Sequence, residues 1–264
     1  MSGNGVTCFG PWRVTAASVR GPAHVRRDMP NQDAWAAEAG SDGVAFAAAV
    51  CDGHGAKLHF RSEIGARIAA STAAECLSTT AAPASELPAR IADTWRGRVL
   101  AHRQANPHEL DDWVEDEGEL VLAYGTTLIA AQIRDAALTA LQIGDGDLLV
   151  GTAENGIVAP LPEDQGITGE ATHSLCEPEA ASRFRLAELP AGVDFLMLST
   201  DGVGKSFGSP ADLAAVARHF REQARAGRLD QIAASLPGWL GDVATRGAGD
   251  DATLLIAYLD QPTG

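Results

Sequence analysis

The stretch from Ala47 to Gly55 reads AAAVCDGHG, an uncharged apolar run that stops abruptly at an acid, a glycine and a histidine. The residues from Val44 to Cys51 are small or branched and carry no charge, which is typical of a strand buried on both faces or of a short core helix. The Asp52-Gly53 pair that follows favours a sharp turn. We therefore predict a buried strand that delivers the carboxylate of Asp52 to its end.

Acids at the ends of apolar runs recur along the chain. Three such runs end in an acid beside a glycine, and two further acids stand just before strand-like segments. These acids are, in that order, Asp52, Asp145, Asp201, Asp33 and Asp250. Carboxylates gathered at the rims of buried strands repel one another, and a site that concentrates them usually has a cation to hold them. The pattern therefore indicates a cation site.

The length and composition of the chain favour a single soluble domain over residues 1–264. No linker rich in proline, glycine or serine interrupts it, and its hydrophobic share of 45% supports a large core. The 35 acidic and 20 basic residues give a net charge of -15, which argues against binding to nucleic acid or to an anionic membrane. The four cysteines have no CxxC spacing, so neither a structural zinc site nor a disulfide scaffold is expected. No signal-like or membrane-spanning run occurs, and we expect a cytoplasmic monomer.

Strand-like and helix-like segments alternate along the rest of the chain. Strands are predicted over Trp12–Val19, Tyr124–Ile133, Ala137–Ile143, Asp147–Thr152, Gly156–Ala159, Val193–Thr200 and Thr253–Leu259. Helices are predicted from about Ile64 to Leu77 and over Leu87–Gln104, Pro210–Ala226 and Leu229–Ala244, the last of which Pro237 could break. The short separators between residues 124 and 159, Arg134-Asp135, Gly144–Gly146 and Glu154–Gly156, predict hairpin turns in an antiparallel meander. Pro160–Ala191 is predicted to be a long irregular segment.

Two charged segments need an interpretation of their own. Glu109–Glu119 lacks the alternating Asp/Asn positions and the central glycine of a calcium loop, and we interpret it as a solvated acidic connector. The cluster His24–Arg27 is either a solvated loop or an anion clamp. The second interpretation rests on arginine, whose rigid fork of donors matches phosphate oxygens.

Six short motifs, in this order, resemble those of the metal-dependent protein serine/threonine phosphatases of type 2C. The motifs are NQDA (Asn31–Ala34), DGHG (Asp52–Gly55), GTTL (Gly125–Leu128), IGDG (Ile143–Gly146), LSTDG (Leu198–Gly202) and GDDAT (Gly249–Thr253). Each is weak alone, but their common order over a core of about residues 12–259 argues against chance agreement. The segment Arg61–Glu63, which leads into an alanine-rich helix, resembles bacterial branches of the family. The resemblance implies an α+β fold, a four-layer αββα sandwich of two antiparallel β-sheets flanked by helices.

The resemblance also implies a binuclear Mn²⁺ or Mg²⁺ centre at the strand ends. Asp52 matches the carboxylate that bridges both ions, and Gly53 matches the glycine whose carbonyl binds one of them. Asp201 and Asp250 match the terminal ligands of the other ion. Asp33 matches an acid that acts directly or through a bound water. A ligand set made only of oxygen atoms suits Mg²⁺ or Mn²⁺ better than zinc.

Further residues match the groups that surround this centre. Asp145, together with the acid of the LSTDG motif, matches the pair that holds a third and weaker ion. His54 matches the proposed general acid that protonates the leaving alkoxide, a task that suits a histidine with a pKa near neutrality. The substrate-binding arginine of the family would stand five residues before the acid of NQDA, where this chain has Asp28. Arg27 is therefore the first candidate for phosphate binding in catalysis, and Arg26 is the second.

The leading hypothesis is a phosphatase that hydrolyses phosphoserine and phosphothreonine monoesters in proteins, with water activated by the binuclear centre. Its partners would be a phosphorylated protein substrate and, in some settings, a cognate serine/threonine kinase. One alternative is a catalytically inactive module that binds a partner kinase, which the displaced arginine and the sequence Gly144–Asp147 in place of the usual GDSR element would favour. A second alternative is hydrolysis of a small phosphorylated metabolite.

Overall fold

Strands and helices alternate along the part of the chain that the computed structural model describes, which comprises residues 5–41, 46–79, 82–108, 119–134, 137–164 and 172–260. The strands are β1 (Thr7–Phe9), β2 (Trp12–Val19), β3 (Ala34–Ala39), β4 (Phe46–Cys51), β5 (Leu128–Arg134), β6 (Ala137–Ile143), β7 (Asp147–Thr152), β8 (Gly156–Val158), β9 (Arg185–Leu189), β10 (Val193–Ser199) and β11 (Ala252–Leu259). The helices are α1 (Pro22–Arg26), α2 (Ser62–Thr79), α3 (Leu87–Ala105), α4 (Asp201–Gly204), α5 (Pro210–Arg225) and α6 (Leu229–Arg246). Short 3₁₀ turns occupy Lys57–His59, Ala84–Glu86, Glu119–Tyr124 and Ala180–Arg183.

The strands form two antiparallel sheets that pack face to face. The six-stranded sheet has the order β1-β2-β11-β10-β7-β8, and the five-stranded sheet has the order β3-β4-β5-β6-β9. Helices α2 and α3 cover the outer face of the five-stranded sheet, and α5 and α6 cover the outer face of the six-stranded sheet. This arrangement confirms the predicted α+β fold, a four-layer αββα sandwich.

Strand β4 shows why an alanine-rich run without charge forms a strand in this fold. Ala47 and Ala49 belong to the apolar cluster beneath α2 and α3, whereas Ala48 and Val50 belong to the cluster between the two sheets. Both faces of the strand are therefore buried, as the sequence predicted. A strand covered on both faces needs no polar alternation.

The predicted meander is wrong at the turn Gly144–Gly146. Strand β6 lies in the five-stranded sheet and β7 in the six-stranded sheet, so this turn carries the chain from one sheet to the other. Gly144 has a φ of 90°, and a Cβ added there would lie 2.6 Å from Cγ2 of Thr127. Hairpins and tight crossings both use glycines with positive φ, and the residue types alone did not separate them. The crossing places Asp145 where the two sheets meet.

Three other predictions need correction. The irregular segment Pro160–Ala191 contains β9, which pairs with β6 as an edge strand. Helix α6 runs without a break through Pro237. The cluster His24–Arg27 lies largely on a short helix, α1, and not on a loop.

The boundaries of some predicted segments also differ from those observed. The strand predicted from Tyr124 begins only at Leu128, because a 3₁₀ turn occupies Glu119–Tyr124. The predicted acidic connector lies outside the described residues except for Glu119, and so does Asp135 of the turn predicted after β5. No helix in the described ranges has both the length and the apolar character needed to span a membrane.

Candidate metal centre

Five carboxylates meet at one edge of the sandwich because its strands are antiparallel. Asp52 directly follows β4, Asp201 follows β10 by two residues, and Asp145 lies in the crossing between the sheets. Asp33 directly precedes β3, and Asp250 shortly precedes β11. In each antiparallel pair, β3 with β4 and β10 with β11, the start of one strand lies beside the end of the other. Acids at strand ends and acids at strand starts therefore meet at the same edge.

The turn after β4 is held in place by the GTTL motif. The Asp52 carbonyl accepts hydrogen bonds from the Thr127 amide at 2.8 Å and from the Thr126 hydroxyl at 2.9 Å, and Gly53 pairs with Thr126 as an isolated β-bridge. A Cβ on Gly53 would lie 2.8 Å from the carbonyl oxygen of Gln32, so only glycine fits without a shift of the backbone. The motif thus fixes the direction in which the Asp52 side chain leaves the sheet.

A cavity of about 380 Å³ collects most of the predicted site residues. Those that line it are Asp52, Gly53, His54, Asp145, Asp201, Asp250 and Arg27. Two predicted residues do not line it. Asp33 is buried, and Arg26 is exposed at the end of α1. The structure therefore brings together at this cavity four of the five predicted acids, the histidine and one of the two candidate arginines.

Asp33 is a buried carboxylate with one oxygen that lacks a hydrogen-bond partner. The Thr200 hydroxyl donates to Oδ2 at 2.8 Å, but Oδ1 is buried and has no partner among the described residues. Burial, together with repulsion from Asp251 and Asp201, raises the pKa of Asp33 to about 8, although hydrogen bonds with Thr200 and Thr253 act to lower it. A buried carboxylate oxygen without a partner is costly unless a cation or proton satisfies it.

Asp52 and Asp201 shift each other's pKa values in opposite directions. Burial, followed by repulsion from Asp33 and Asp201, raises the pKa of Asp52 well above its usual range. Burial also acts to raise the pKa of Asp201, but hydrogen bonds with Asp52 and Lys205 outweigh it and lower that pKa. A divalent cation between the two carboxylates would offset this repulsion, because two close carboxylates cannot both ionise without a counter-charge.

Lys205 is a site residue that the sequence analysis missed. Its ammonium contacts Oδ2 of Asp201 and lies 3.3 Å from Oδ2 of Asp145. These two carboxylates raise the pKa of Lys205 above its usual value although burial acts to lower it. Its position in the sequence could have indicated this role. Lys205 stands four residues after Asp201, and one turn of a helix brings side chains with this spacing next to each other. We call the group Asp145, Asp201 and Lys205 the β10 rim.

Asp147 adds a further carboxylate near the β10 rim that the sequence analysis noted only as a departure from the GDSR element. It directly begins β7 on the far side of the crossing turn. Burial, together with repulsion from Asp201 and Asp145, raises the pKa of Asp147 to about 6. The arginine that the family element carries at this place would supply a positive charge, so this chain makes the rim more acidic.

A second group, His24 with Asp250 and Asp251, lies beside the start of β11, and we call it the β11 rim. The His24 ring has Nδ1 2.7 Å from Oδ2 of Asp251 and Nε2 3.2 Å from Oδ1 of Asp250. Asp251 also accepts the backbone amides of Gly21 at 2.6 Å and Gln32 at 2.7 Å. From the sequence, His24 was recognisable only as part of a basic cluster, because its contact with Asp251 joins opposite ends of the chain.

His54 lies at the cavity with its ring against that of His59. The two ring centroids are 4.9 Å apart in an edge-to-face arrangement. Burial, followed by repulsion from His59, lowers the pKa of His54 to about 4. The imidazole is therefore neutral at pH 7 in this arrangement. Its pKa lies below the near-neutral value expected from the sequence. Its role as general acid stays a prediction.

Arg27 is the candidate arginine that reaches the cavity. It follows the last residue of α1, and its side chain has no hydrogen bond or ion pair among the described residues. Asp28, which stands where the family has its arginine, adopts a left-handed φ of 54° at the end of this helix. Aspartate tolerates this conformation better than most residues do. The helix thus ends with Arg27 at the cavity, and the described part of the chain holds no partner for its guanidinium.

The carboxylates could hold divalent cations of the Mg²⁺ and Mn²⁺ class. Hard cations of this class favour carboxylate and carbonyl oxygens, and such oxygens dominate the cavity. The Asp33 oxygen that has no partner among the described residues and the repulsion between Asp52 and Asp201 both mark places where positive charge is needed. The fold and this cavity together define an αββα protein with a carboxylate-rich site suited to divalent cations.

Comparison with known proteins agrees with this class. The family model described as protein phosphatase 2C matches residues 20–241. Since the match covers well over half of the chain, the chain belongs to the protein phosphatase 2C family. A search of curated proteins gave no match.

Several solved structures share the fold over almost the whole chain. Serine/threonine phosphatase Stp1 from Staphylococcus aureus aligns with a TM-score of 0.63 at 14% identity, over 94% of this chain and 95% of that chain. The serine/threonine phosphatase of S. agalactiae aligns with a TM-score of 0.63 at 16% identity, over 94% and 99%. The catalytic domain of the serine/threonine phosphatase PstP, in complex with 2 manganese ions, aligns with a TM-score of 0.60 at 20% identity, over 94% and 97%. At such identities the likeness shows the fold alone.

Proposed function

We propose that this protein is a metal-dependent phosphatase that hydrolyses phosphoserine and phosphothreonine monoesters in proteins. The observation that carries the proposal is the convergence of Asp52, Asp145, Asp201 and Asp250 on one cavity, in a chain of the protein phosphatase 2C family. So many acids around one cavity destabilise a protein unless they hold cations.

The cations proposed for this site are two Mn²⁺ or Mg²⁺ ions, with a third and weaker one. Asp52, the Gly53 carbonyl, Asp201 and Asp250 would hold the first two, with Asp33 acting directly or through water. Asp145 and Asp201 would hold the third. When bound, such ions activate water and offset charge on the phosphoryl group. Among proteins with the same fold, PstP has been solved with manganese and RsbX with magnesium.

Two side chains of the cavity are proposed to handle the phosphate ester. Arg27 lines the cavity and has no hydrogen bond or ion pair within the described ranges, and it would bind phosphate oxygens through its guanidinium. His54 would donate a proton to the leaving serine or threonine oxygen. The negative charge of a bound phosphate favours the charged imidazolium, and it would therefore raise the pKa of His54 from its low value.

The test is hydrolysis of a small aryl phosphate and of a phosphopeptide by the purified chain. We expect turnover with Mn²⁺ or Mg²⁺, none in excess chelator, and a loss on the order of 10³-fold in Asp52→Asn. Asp93→Asn is the matched control, because Asp93 is an exposed acid on α3. A chain that is inactive with every divalent cation, or fully active in chelator, contradicts the proposal. Activity on a metabolite panel but not on phosphopeptides favours a small-molecule substrate.

A second candidate function is an inactive module that binds a partner kinase. It is favoured by the β10 rim, where Lys205 already offsets two acids and Asp147 stands in place of an arginine. Calorimetry separates the candidates, since an inactive module of this kind would bind no divalent cation. The single domain, the monomeric state, the cytoplasmic location and the kinase partner stay predictions.

A further inference from the structure

The His24 imidazole is held in a fixed orientation by the oxygens around its Nδ1 atom. Its side chain is buried, and Nδ1 lies 2.7 Å from Oδ2 of Asp251 and 3.1 Å from the carbonyl oxygen of Pro30. A backbone carbonyl only accepts hydrogen bonds, and so does an ionised carboxylate. Nδ1 must therefore carry a proton, and it donates to these oxygens.

Asp251 is itself fixed, so it can orient the ring. It is 3% exposed, and its two oxygens accept the backbone amides of Gly21 and Gln32 in addition to the His24 ring. A carboxylate has enough acceptor sites to accept all of these hydrogen bonds at once. The ring of His24 thus lies between a fixed carboxylate on one side and the cavity on the other.

The other ring nitrogen, Nε2, faces the cavity beside a predicted metal ligand. His24 and Asp250 both line the cavity, and Nε2 lies 3.2 Å from Oδ1 of Asp250. Donor atoms of His24, Asp250 and Asp251 all lie within 4.8 Å of one another. Nδ1 donates to Asp251, and Nε2 lies beside the Asp250 carboxylate, which only accepts. A cation at Nε2 would therefore take the place of a proton between His24 and Asp250.

We propose that Nε2 of His24 is a ligand of the cation that Asp250 would bind, so that the centre contains one nitrogen donor. The proposal rests on the metal centre of the proposed function. Metal-binding histidines commonly donate their other ring N–H to a carboxylate, which is the arrangement that Asp251 supplies. A nitrogen donor favours first-row transition cations over Mg²⁺, so the centre prefers Mn²⁺ to Mg²⁺.

The test is pulsed electron paramagnetic resonance on the full chain loaded with Mn²⁺. A coordinated imidazole gives a ¹⁴N modulation of the electron spin echo, and we expect this modulation in the wild type. It should vanish in His24→Asn, whose side-chain amide can still donate to Asp251. It should persist in His219→Asn, a matched control in which the exposed histidine lies on α5. Modulation that survives in His24→Asn but is lost in His54→Asn overturns the assignment.

A competition titration gives a second readout that does not depend on activity. His24→Asn should lower the affinity for Mn²⁺ by about 10-fold or more and change the affinity for Mg²⁺ much less. If His24→Asn does not fold, labelling the wild type with ¹⁵N-histidine must replace the ¹⁴N pattern by that of ¹⁵N. Bound Mn²⁺ without nitrogen coupling overturns this inference alone, whereas absence of Mn²⁺ binding in the wild type overturns the proposed function as well.

Discussion

The β11 rim and the β10 rim offset the charge of their carboxylates by different means. In the β11 rim, Asp251 is 3% exposed and accepts two backbone amides and an imidazole. In the β10 rim, the charge of Asp145 and Asp201 is offset by Lys205, whose side chain is 60% exposed. Loss of a buried acceptor leaves its donors without partners, whereas an exposed ion pair contributes little to stability. The first rim is therefore part of the fold, and the second can change its charge while the fold persists.

The largest effect is expected from Asp251→Asn. One oxygen of the carboxylate becomes an amide nitrogen, so a buried backbone amide of Gly21 or Gln32 loses its acceptor and faces a donor. We expect the free energy of unfolding to fall by about 3 kcal/mol. Asp250→Asn is the matched control. The Asp250 side chain is 51% exposed, so we expect this substitution to lower the free energy of unfolding by less than about 1 kcal/mol.

Urea unfolding followed by circular dichroism in excess chelator measures this difference. The chelator removes any contribution from bound cations, which stabilise the folded state by mass action. Equal losses in the two variants would show that the buried contacts of Asp251 contribute no more to stability than the exposed Asp250 does, and the β11 rim would then not be part of the fold as described. A larger loss in Asp250→Asn would reverse the roles of the two adjacent acids.

The acids of the site could be predicted from the sequence because each belongs to a local pattern. An apolar run that ends at Asp52 or Asp201 beside a glycine defines a strand end, and antiparallel pairing then places the acids of strand starts beside them. The sandwich itself followed from the resemblance to a known family. These inferences need only short segments and their order.

The parts that could not be predicted depend on contacts between distant segments or on geometry that composition does not encode. His24 meets Asp251 across nearly the whole chain, and nothing near His24 in the sequence indicates an acid as its partner. The Gly144–Gly146 turn has the composition of a hairpin but crosses between sheets. Lys205 lies close in sequence to Asp201, yet only the helical turn of α4 brings its ammonium back to the carboxylate.

An intermediate effect is expected from Lys205→Met, which removes the ammonium but keeps an unbranched apolar side chain. The ammonium competes with a divalent cation for the oxygens of Asp145 and Asp201 and also repels it. We expect the affinity of the weakest Mn²⁺ site to rise by about 10-fold, which corresponds to about 1.4 kcal/mol. Isothermal calorimetry with Mn²⁺ measures this affinity.

Lys57→Met is the control for this experiment, since Lys57 is the only other lysine of the sequence and is exposed outside the cavity. It should leave the titration unchanged. A fall in affinity in Lys205→Met would mean that the ammonium supports the site and does not compete for it, and the contrast between the rims would then need revision.

The smallest effect is expected from Arg27→Ala, and it compares the two cations of the cavity. Lys205 is already paired with two carboxylates, whereas Arg27 has no partner among the described residues. A phosphate that enters the cavity can bind an unpaired guanidinium without breaking an existing ion pair. We expect Arg27→Ala to raise the KM for a phosphopeptide about 5-fold, which corresponds to about 1 kcal/mol, and to change kcat less.

Arg26→Ala is the matched control, because Arg26 is exposed one residue earlier and does not line the cavity. A larger effect in Arg26→Ala would mean that the end of α1 turns by one residue when substrate binds, and a larger rise of KM in Lys205→Met would assign phosphate binding to the β10 rim.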